Sequence, residues 1–381
     1  MLSLETTKWV NTVAEKIEDK MKWMSDQIDD KIPSRCVTDH YDDKKTAIPK
    51  TIADGINCWT NGFWPGMLWL TYNETKIEKY REIAERIEGD LDICFEQYYG
   101  LHHDVGFMWL YSSVENYRIT ENEVSKKRAL HAANLLAGRF NPVGKFIRAW
   151  NDIKDEDATG WAIIDCMMNI PLLYWATEET NDPRFKHIAI MHADTVMESF
   201  IREDGSSEHI VGFDPWTGEK VKTYRGQGYA LGSSWTRGQA WALYGFILSY
   251  KYTQKIEYLD MAKRIAYYFM ANIPENGIIP IDFKQANDSM REDSSAATIA
   301  ASGLIDIAIA LDGNDNQIYL EKAIKLLRTL DEERCDWSKN KEGIVTRCSG
   351  SYHSDLEYMS LIYGDYYFME AMYKLKNISK Q

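Results

Sequence analysis

The chain has 381 residues, with 44 Lys plus Arg against 58 Asp plus Glu, a net charge of −14 with His neutral, and 45% hydrophobic and 13% aromatic side chains. This much apolar and ring surface excludes a disordered or low-complexity chain. The acidic balance, with no basic stripe beyond Lys126, Lys127 and Arg128, excludes a nucleic-acid binder held by phosphate neutralisation.

Apolar residues recur at i, i+3, i+4 and i+7 along most of the chain. The spacing predicts twelve helices, near 4–30, 62–74, 77–99, 104–118, 121–138, 161–177, 182–201, 235–253, 257–273, 292–311, 316–332 and 355–375. The segments 205–234 and 272–292 mix Gly, Pro, Asp and β-branched residues and read as loops or short strands. Odd-numbered helices carry charge along one face, whereas even-numbered ones, such as Trp161–Ala176 and Trp235–Tyr250, are apolar or small nearly all round. A doubly buried helix between amphipathic neighbours, repeated along the chain, predicts an all-α fold: an (α/α)6 barrel of six inner and six outer helices, with residues 1–381 as a single domain.

No apolar stretch reaches the roughly 18 residues of a membrane span, and the N-terminus lacks the basic start and apolar run of a secretory signal. Six Cys at 36, 58, 94, 166, 335 and 348 form no C-x-x-C pair and read as reduced thiols. The expectation is a cytoplasmic protein with no membrane or nucleic-acid partner.

In such a ring the loops leading into the inner helices gather at one mouth. They read GINCWTNGFWPG, GLHHDVGF, EDATGWAIID, YALGSSWTRGQAW, REDSSAAT and CSGSYHSD. Rings, carboxylates and hydroxyls at one end of a barrel suit a sugar, which offers apolar CH faces and hydroxyl groups.

Among these residues Asp104 stands at the expected start of the fourth helix, where an N-cap explains an Asp at about 1 kcal/mol. Asp165 lies in the apolar run WAIIDCMMN, where burial of an unpaired carboxylate is costly. If that run is helical, Trp161 and Asn169 share its face at i−4 and i+4. A structural Asp satisfied by Asn169 and a catalytic acid both fit. Arg237 and Trp241, at i and i+4, read either as a fork for a ligand carboxylate or as a buried ion pair beside a core ring.

Taken together, NCWTNGFWPGMLW, LHHDVGF, AIIDCMMN, RGQGYALGSSWTRGQAWALYGF, DSSAATIAASGL and GDYYFMEA resemble, in order and over essentially the whole chain, the unsaturated glucuronyl hydrolases of glycoside hydrolase family 88. The resemblance implies an (α/α)6 barrel that removes a 4,5-unsaturated uronic acid from lyase-generated oligosaccharides, with no metal or organic cofactor. It implies Asp165 as general acid/base and Asp104 as its partner. Trp59, His209, Gln227, Arg237 and Trp241 match residues that hold the uronate, and Phe63, Trp150, Trp235 and Tyr352 match an aromatic wall. The loop GIVTRCSGSYHSD is similar to the part that governs sulfate tolerance in the family and carries Ser351 and Ser354 with no Lys just after. A pectin-directed unsaturated rhamnogalacturonyl hydrolase and a non-catalytic sugar-binding ring are the competing readings. A zinc-bearing helical barrel fits poorly, because Asp165 and Cys166, the close ligand pair, point about 100° apart on a helix.

Overall fold

Helices that are apolar on every side alternate with helices that carry one apolar stripe, as the spacing predicts. The structure, a computed structural model, describes residues 2–36, 38–46, 54–97, 100–151, 157–286, 289, 291–311, 313–354 and 358–380. The outer helices are Leu4–Gln27, Glu78–Asp90, Glu123–Ala137, Pro183–Ser199, Ile256–Ala271 and Gln317–Glu333. The inner ones are Phe63–Thr75, a composite of Val105–Trp109, Leu110–Val114 and Glu115–Thr120, then Pro171–Thr180, Thr236–Thr253, Ser294–Ala310 and Ile362–Ser379. Each inner helix packs against the next, and Ile362–Ser379 closes the ring against Phe63–Thr75. The result is an (α/α)6 barrel. Thr236–Thr253 shows why the inner layer is apolar: it is buried from Thr236 through Ile247.

The two ends of the barrel differ because their connections differ. At one end four inner helices stop on Lys76, Glu121, Asn181 and Gln254, each in the left-handed region at φ 58°, 59°, 55° and 57°. That single reversal turns the chain at once into the following outer helix. At the other end, long segments join outer to inner helices, and these carry the functional loops.

Among the described residues three small antiparallel sheets lie in those segments. Arg35–Cys36 pairs with Ser360–Leu361, and Phe140–Asn141 pairs with Phe146–Ile147. The third has three strands, β1 (Trp161–Ile163), β2 (Ile210–Phe213) and β3 (Lys220–Tyr224), in that order.

Several expected helices are corrected. The run from Trp161 does not begin as a helix: β1 pairs with β2, a 3-10 turn spans Ile164–Met168, and the inner helix starts at Pro171, whose missing N–H is harmless at a first helical position. Trp161 and Asn169 therefore share no helical stripe with Asp165. The helix expected over 104–118 passes through a π turn at Leu110–Val114. The one expected over 77–99 ends at Asp90, followed by a short turn Ile93–Glu96, with 98–99 outside the described residues. The last helix begins at Ile362 because Ser360–Leu361 is taken by strand pairing, and 355–357 lie outside the described residues.

Among the described residues no helix is long and apolar enough to cross a membrane. All six cysteines are free thiols. Arg128 pairs with Asp92 and with the buried Glu88, so the basic cluster is a helix face bound to its neighbour.

Candidate active site

A cavity of about 370 Å³ opens where the long loops meet. Trp59, His102, His103, Asp104, Trp150, Ile163, Asp165, His209, Ile210, Gly226, Gln227 and Arg237 line it. Seven of these, Trp59, Asp104, Trp150, Asp165, His209, Gln227 and Arg237, are candidates of the sequence.

Asp104 occupies the N-cap position of Val105–Trp109, yet its side chain caps nothing. The first-turn N–H of Phe107 is instead satisfied by Oδ1 of Asn169 at 2.8 Å. The Asn169 amide then donates to Asp104 Oδ1 at 3.0 Å and to the Asp165 carbonyl at 3.2 Å. One side chain thus does the capping, releases Asp104 from it, and ties the two acidic segments together. The cap expected of Asp104 is overturned, because the acceptor comes from Asn169, in the turn that leads into the next inner helix. Burial, and then the charge of Asp165, push the Asp104 carboxyl well above the ordinary carboxylate range. The carboxyl held protonated is therefore Asp104, where the apolar flanks in the sequence pointed to Asp165.

Asp165 is positioned by β1. Pairing of Ile163 with Ile210, and the bond from Ile164 N–H to the His209 carbonyl at 3.0 Å, set Asp165 beside His209. His209 Nδ1 accepts the Gln227 N–H at 2.9 Å, which leaves the ring proton on Nε2, 3.6 Å from Asp165 Oδ2. That oxygen has no hydrogen-bond partner among the described residues. Gly226, at φ +59°, passes so close that a Cβ there would lie 1.9 Å from His209 Nδ1. Only glycine fits.

Arg237 is a buried ion pair as well as a cavity wall. Its Nη1 donates to Asp293 at 2.5 Å and to the Ser349 carbonyl at 2.6 Å, while Nη2 donates to the Gly350 carbonyl at 2.6 Å and weakly to Gln227 Oε1 at 3.4 Å. The fork that the sequence offered to a ligand is committed to the protein. What it presents to the cavity is charge, set over the Trp235 ring at 4.6 Å. Arg237→Lys is expected to cost about 2–5 kcal/mol, since one ammonium cannot serve Asp293 and two carbonyls at once. Thermal melting, read beside kcat/KM, checks this.

The remaining candidates lie behind the wall. Trp241 and Phe63 are fully buried; Trp241 packs on Phe107 at 5.2 Å, and Phe63 meets the Trp59 ring edge-on at 5.9 Å. Expected to touch ligand, they lie behind the lining and support Phe107 and Trp59: Phe63 opens its inner helix, Trp241 lies just over one turn into its own, and both are buried in the barrel core. Trp235 is buried and backs His209 at 4.2 Å. Tyr352 does not line the cavity; its N–H holds the Gln227 carbonyl at 2.9 Å.

Reasoning from the sequence missed His102 and His103, although they flank Asp104 in LHHDVGF. Both are buried, and burial is the main cause that lowers their pKa, to about 3 for His102 and well below the ordinary value for His103. Close contact between the two acidic segments depends on Gly106, where a Cβ would meet the Asn169 Cα at 2.4 Å. Gly106→Ala is expected to cost about 1–3 kcal/mol by denaturant unfolding and to lower activity, because the backbone carrying Asp104 must retreat from Asn169.

Comparison with known proteins agrees with this architecture. Residues 16–370 match the model of Glycosyl Hydrolase Family 88. The unsaturated glucuronyl hydrolase of Bacillus sp. (strain GL1) is 39% identical over 330 residues, covering 84% of this chain and 86% of that protein. The unsaturated chondroitin disaccharide hydrolase of Streptococcus pyogenes serotype M1 is 33% identical, covering 82% and 80%. The crystal structure of the Bacillus sp. GL1 enzyme superposes with a TM-score of 0.88 at 33% identity, over 97% of each chain. With its barrel, its paired acidic residues and a family match over most of its length, the chain belongs to Glycosyl Hydrolase Family 88 and is a glycosidase.

Proposed function

We propose that this chain is an unsaturated glucuronyl hydrolase, a single catalytic domain over residues 1–381 acting in the cytoplasm on short oligosaccharides that end in a 4,5-unsaturated uronic acid. The relatives that match it carry the names of enzymes for unsaturated glucuronyl and chondroitin disaccharides. The observation that carries the assignment of roles is the junction of Asp104 and Asp165 through Asn169 at one cavity.

The substrate's C4=C5 bond is a vinyl ether, polarised by the ring oxygen. A proton delivered to C4 uses the π pair to form the new C–H bond and leaves an oxocarbenium-like C5. Water bonds to C5 and gives up its proton, and the resulting hemiketal opens and releases the neighbouring sugar. Asp165 is the group that moves the proton: its Oδ2 is uncommitted and sits beside the His209 Nε2–H. Asp104, held neutral by burial, is the partner that keeps a proton within the pair. Arg237 supplies positive charge for the uronate carboxylate, and Trp59 and Trp150 supply faces for sugar rings.

A net charge of −14 repels long polyanions, whereas a short fragment is steered by local charge. The test is a panel of unsaturated disaccharides of chondroitin, hyaluronan and heparin type, followed by loss of the C4=C5 absorbance. At least one is expected to decline. Persistence of the chromophore in all of them would sink the assignment.

A further inference from the structure

His102, His103 and Asp104 place three donor atoms around one point. His102 Nδ1 lies 3.5 Å from Asp104 Oδ2, and His103 Nε2 lies 3.4 Å from the same oxygen. All three atoms fall within 4.8 Å of one another. Zinc bonds to imidazole nitrogen and carboxylate oxygen are about 2.0–2.1 Å, so adjacent ligands of a tetrahedral ion stand about 3.3–3.4 Å apart. The two measured edges match that spacing.

The donors are also uncommitted. Neither ring nitrogen of His103 has a hydrogen-bond partner among the described residues, although the side chain is only 1% exposed. A buried imidazole with two idle nitrogens is costly unless something occupies it. His102 Nδ1 takes a long bond of 3.4 Å from the Asp104 N–H, which a metal would replace. All three residues line the cavity, so an ion bound to them stands at the space where substrate sits.

We propose that His102, His103 and Asp104 form a site for a zinc-class divalent cation, which blocks the active site when bound. Two imidazoles and one carboxylate favour zinc, copper or nickel over magnesium or calcium. The ion takes the Asp104 carboxylate out of its pair with Asp165 and sets a positive charge beside the proton-moving group. The cation is thus an inhibitor, not a participant in the reaction. Blocking rests on the reading of Asp104 as part of the reacting pair; binding does not.

The test uses the full chain, stripped with a chelator and titrated with zinc chloride by calorimetry, with cobalt(II) absorbance as a second readout. One zinc per chain is expected, with a tetrahedral cobalt spectrum and no response to magnesium. In His103→Gln, shown folded by circular dichroism, zinc affinity falls by about tenfold or more. In His40→Gln, an exposed histidine outside the cavity lining, it is unchanged. Independently of those variants, an unsaturated disaccharide added to Asp165→Asn competes with zinc, and zinc inhibits the wild type until chelator is added. No saturable site, or equal affinity in His103→Gln, overturns the proposal. Zinc that binds as described yet leaves turnover intact supports the metal site and instead overturns Asp104 as a reacting group.

Discussion

Asp165→Asn is expected to lower kcat by about 10² to 10⁴, with KM within about tenfold of wild type and the melting temperature nearly unchanged. The side chain is replaced by one of the same shape whose amide protons are far too weakly acidic to be delivered to C4, so the step that creates the electrophile is lost. The local fold is held by backbone pairing of Ile163 with Ile210 and by Asn169 bonding to the Asp165 carbonyl. None of these contacts involves the carboxylate. Steady-state kinetics with circular dichroism separates the outcomes: wild-type turnover removes Asp165 from the mechanism, and a loss of fold assigns it a structural role.

Asp104→Asn is expected to slow the reaction and also to move its pH profile. Burial, and then the charge of Asp165, hold the Asp104 carboxyl protonated well above the ordinary carboxylate range. Replacing Asp104 by Asn removes the carboxyl that burial keeps protonated, so the pair loses its proton at lower pH than before. The reaction needs the protonated acid, and its loss is read as the fall in rate at high pH. That limb therefore shifts toward lower pH in Asp104→Asn, measured with a chelator present. A limb that stays put, or moves upward, shows that Asp104 is not the group that holds the pair's proton.

The barrel was legible because its signal is repeated. Each inner helix needs apolar side chains all round and each outer one a single stripe, so Thr236–Thr253 and Gln317–Glu333 announce their layers without tertiary information. The run from Trp161 to Ala176 was not legible in the same way. A uniformly apolar stretch has no period, and what makes Trp161–Ile163 a strand is a partner at Ile210–Phe213, far along the chain.

The site divides along the same line. That Asp104 and Asp165 are unusual could be read from their neighbours, but which one burial keeps protonated depends on the third dimension. Asp104 looked like a cap because Asp often is one, and the true acceptor, Asn169, lies in the turn before another inner helix. Trp59 and Trp241 both sit in ring-rich motifs, yet only the fold turns Trp59 toward the cavity and Trp241 into the core.

The central claim, that the chain protonates and hydrates the C4=C5 bond without attacking the glycosidic bond, is tested most directly by a substrate with sulfur in place of the glycosidic oxygen. A glycosidic sulfur is a poor proton acceptor, so cleavage assisted by an acid at that atom is suppressed, whereas hydration at C5 is indifferent to it. Measured by decay of the C4=C5 absorbance with wild-type protein, the sulfur-linked disaccharide is predicted to be consumed at a rate comparable to its oxygen-linked counterpart. Consumption of the oxygen-linked substrate alone, with the sulfur-linked chromophore intact, would contradict the account.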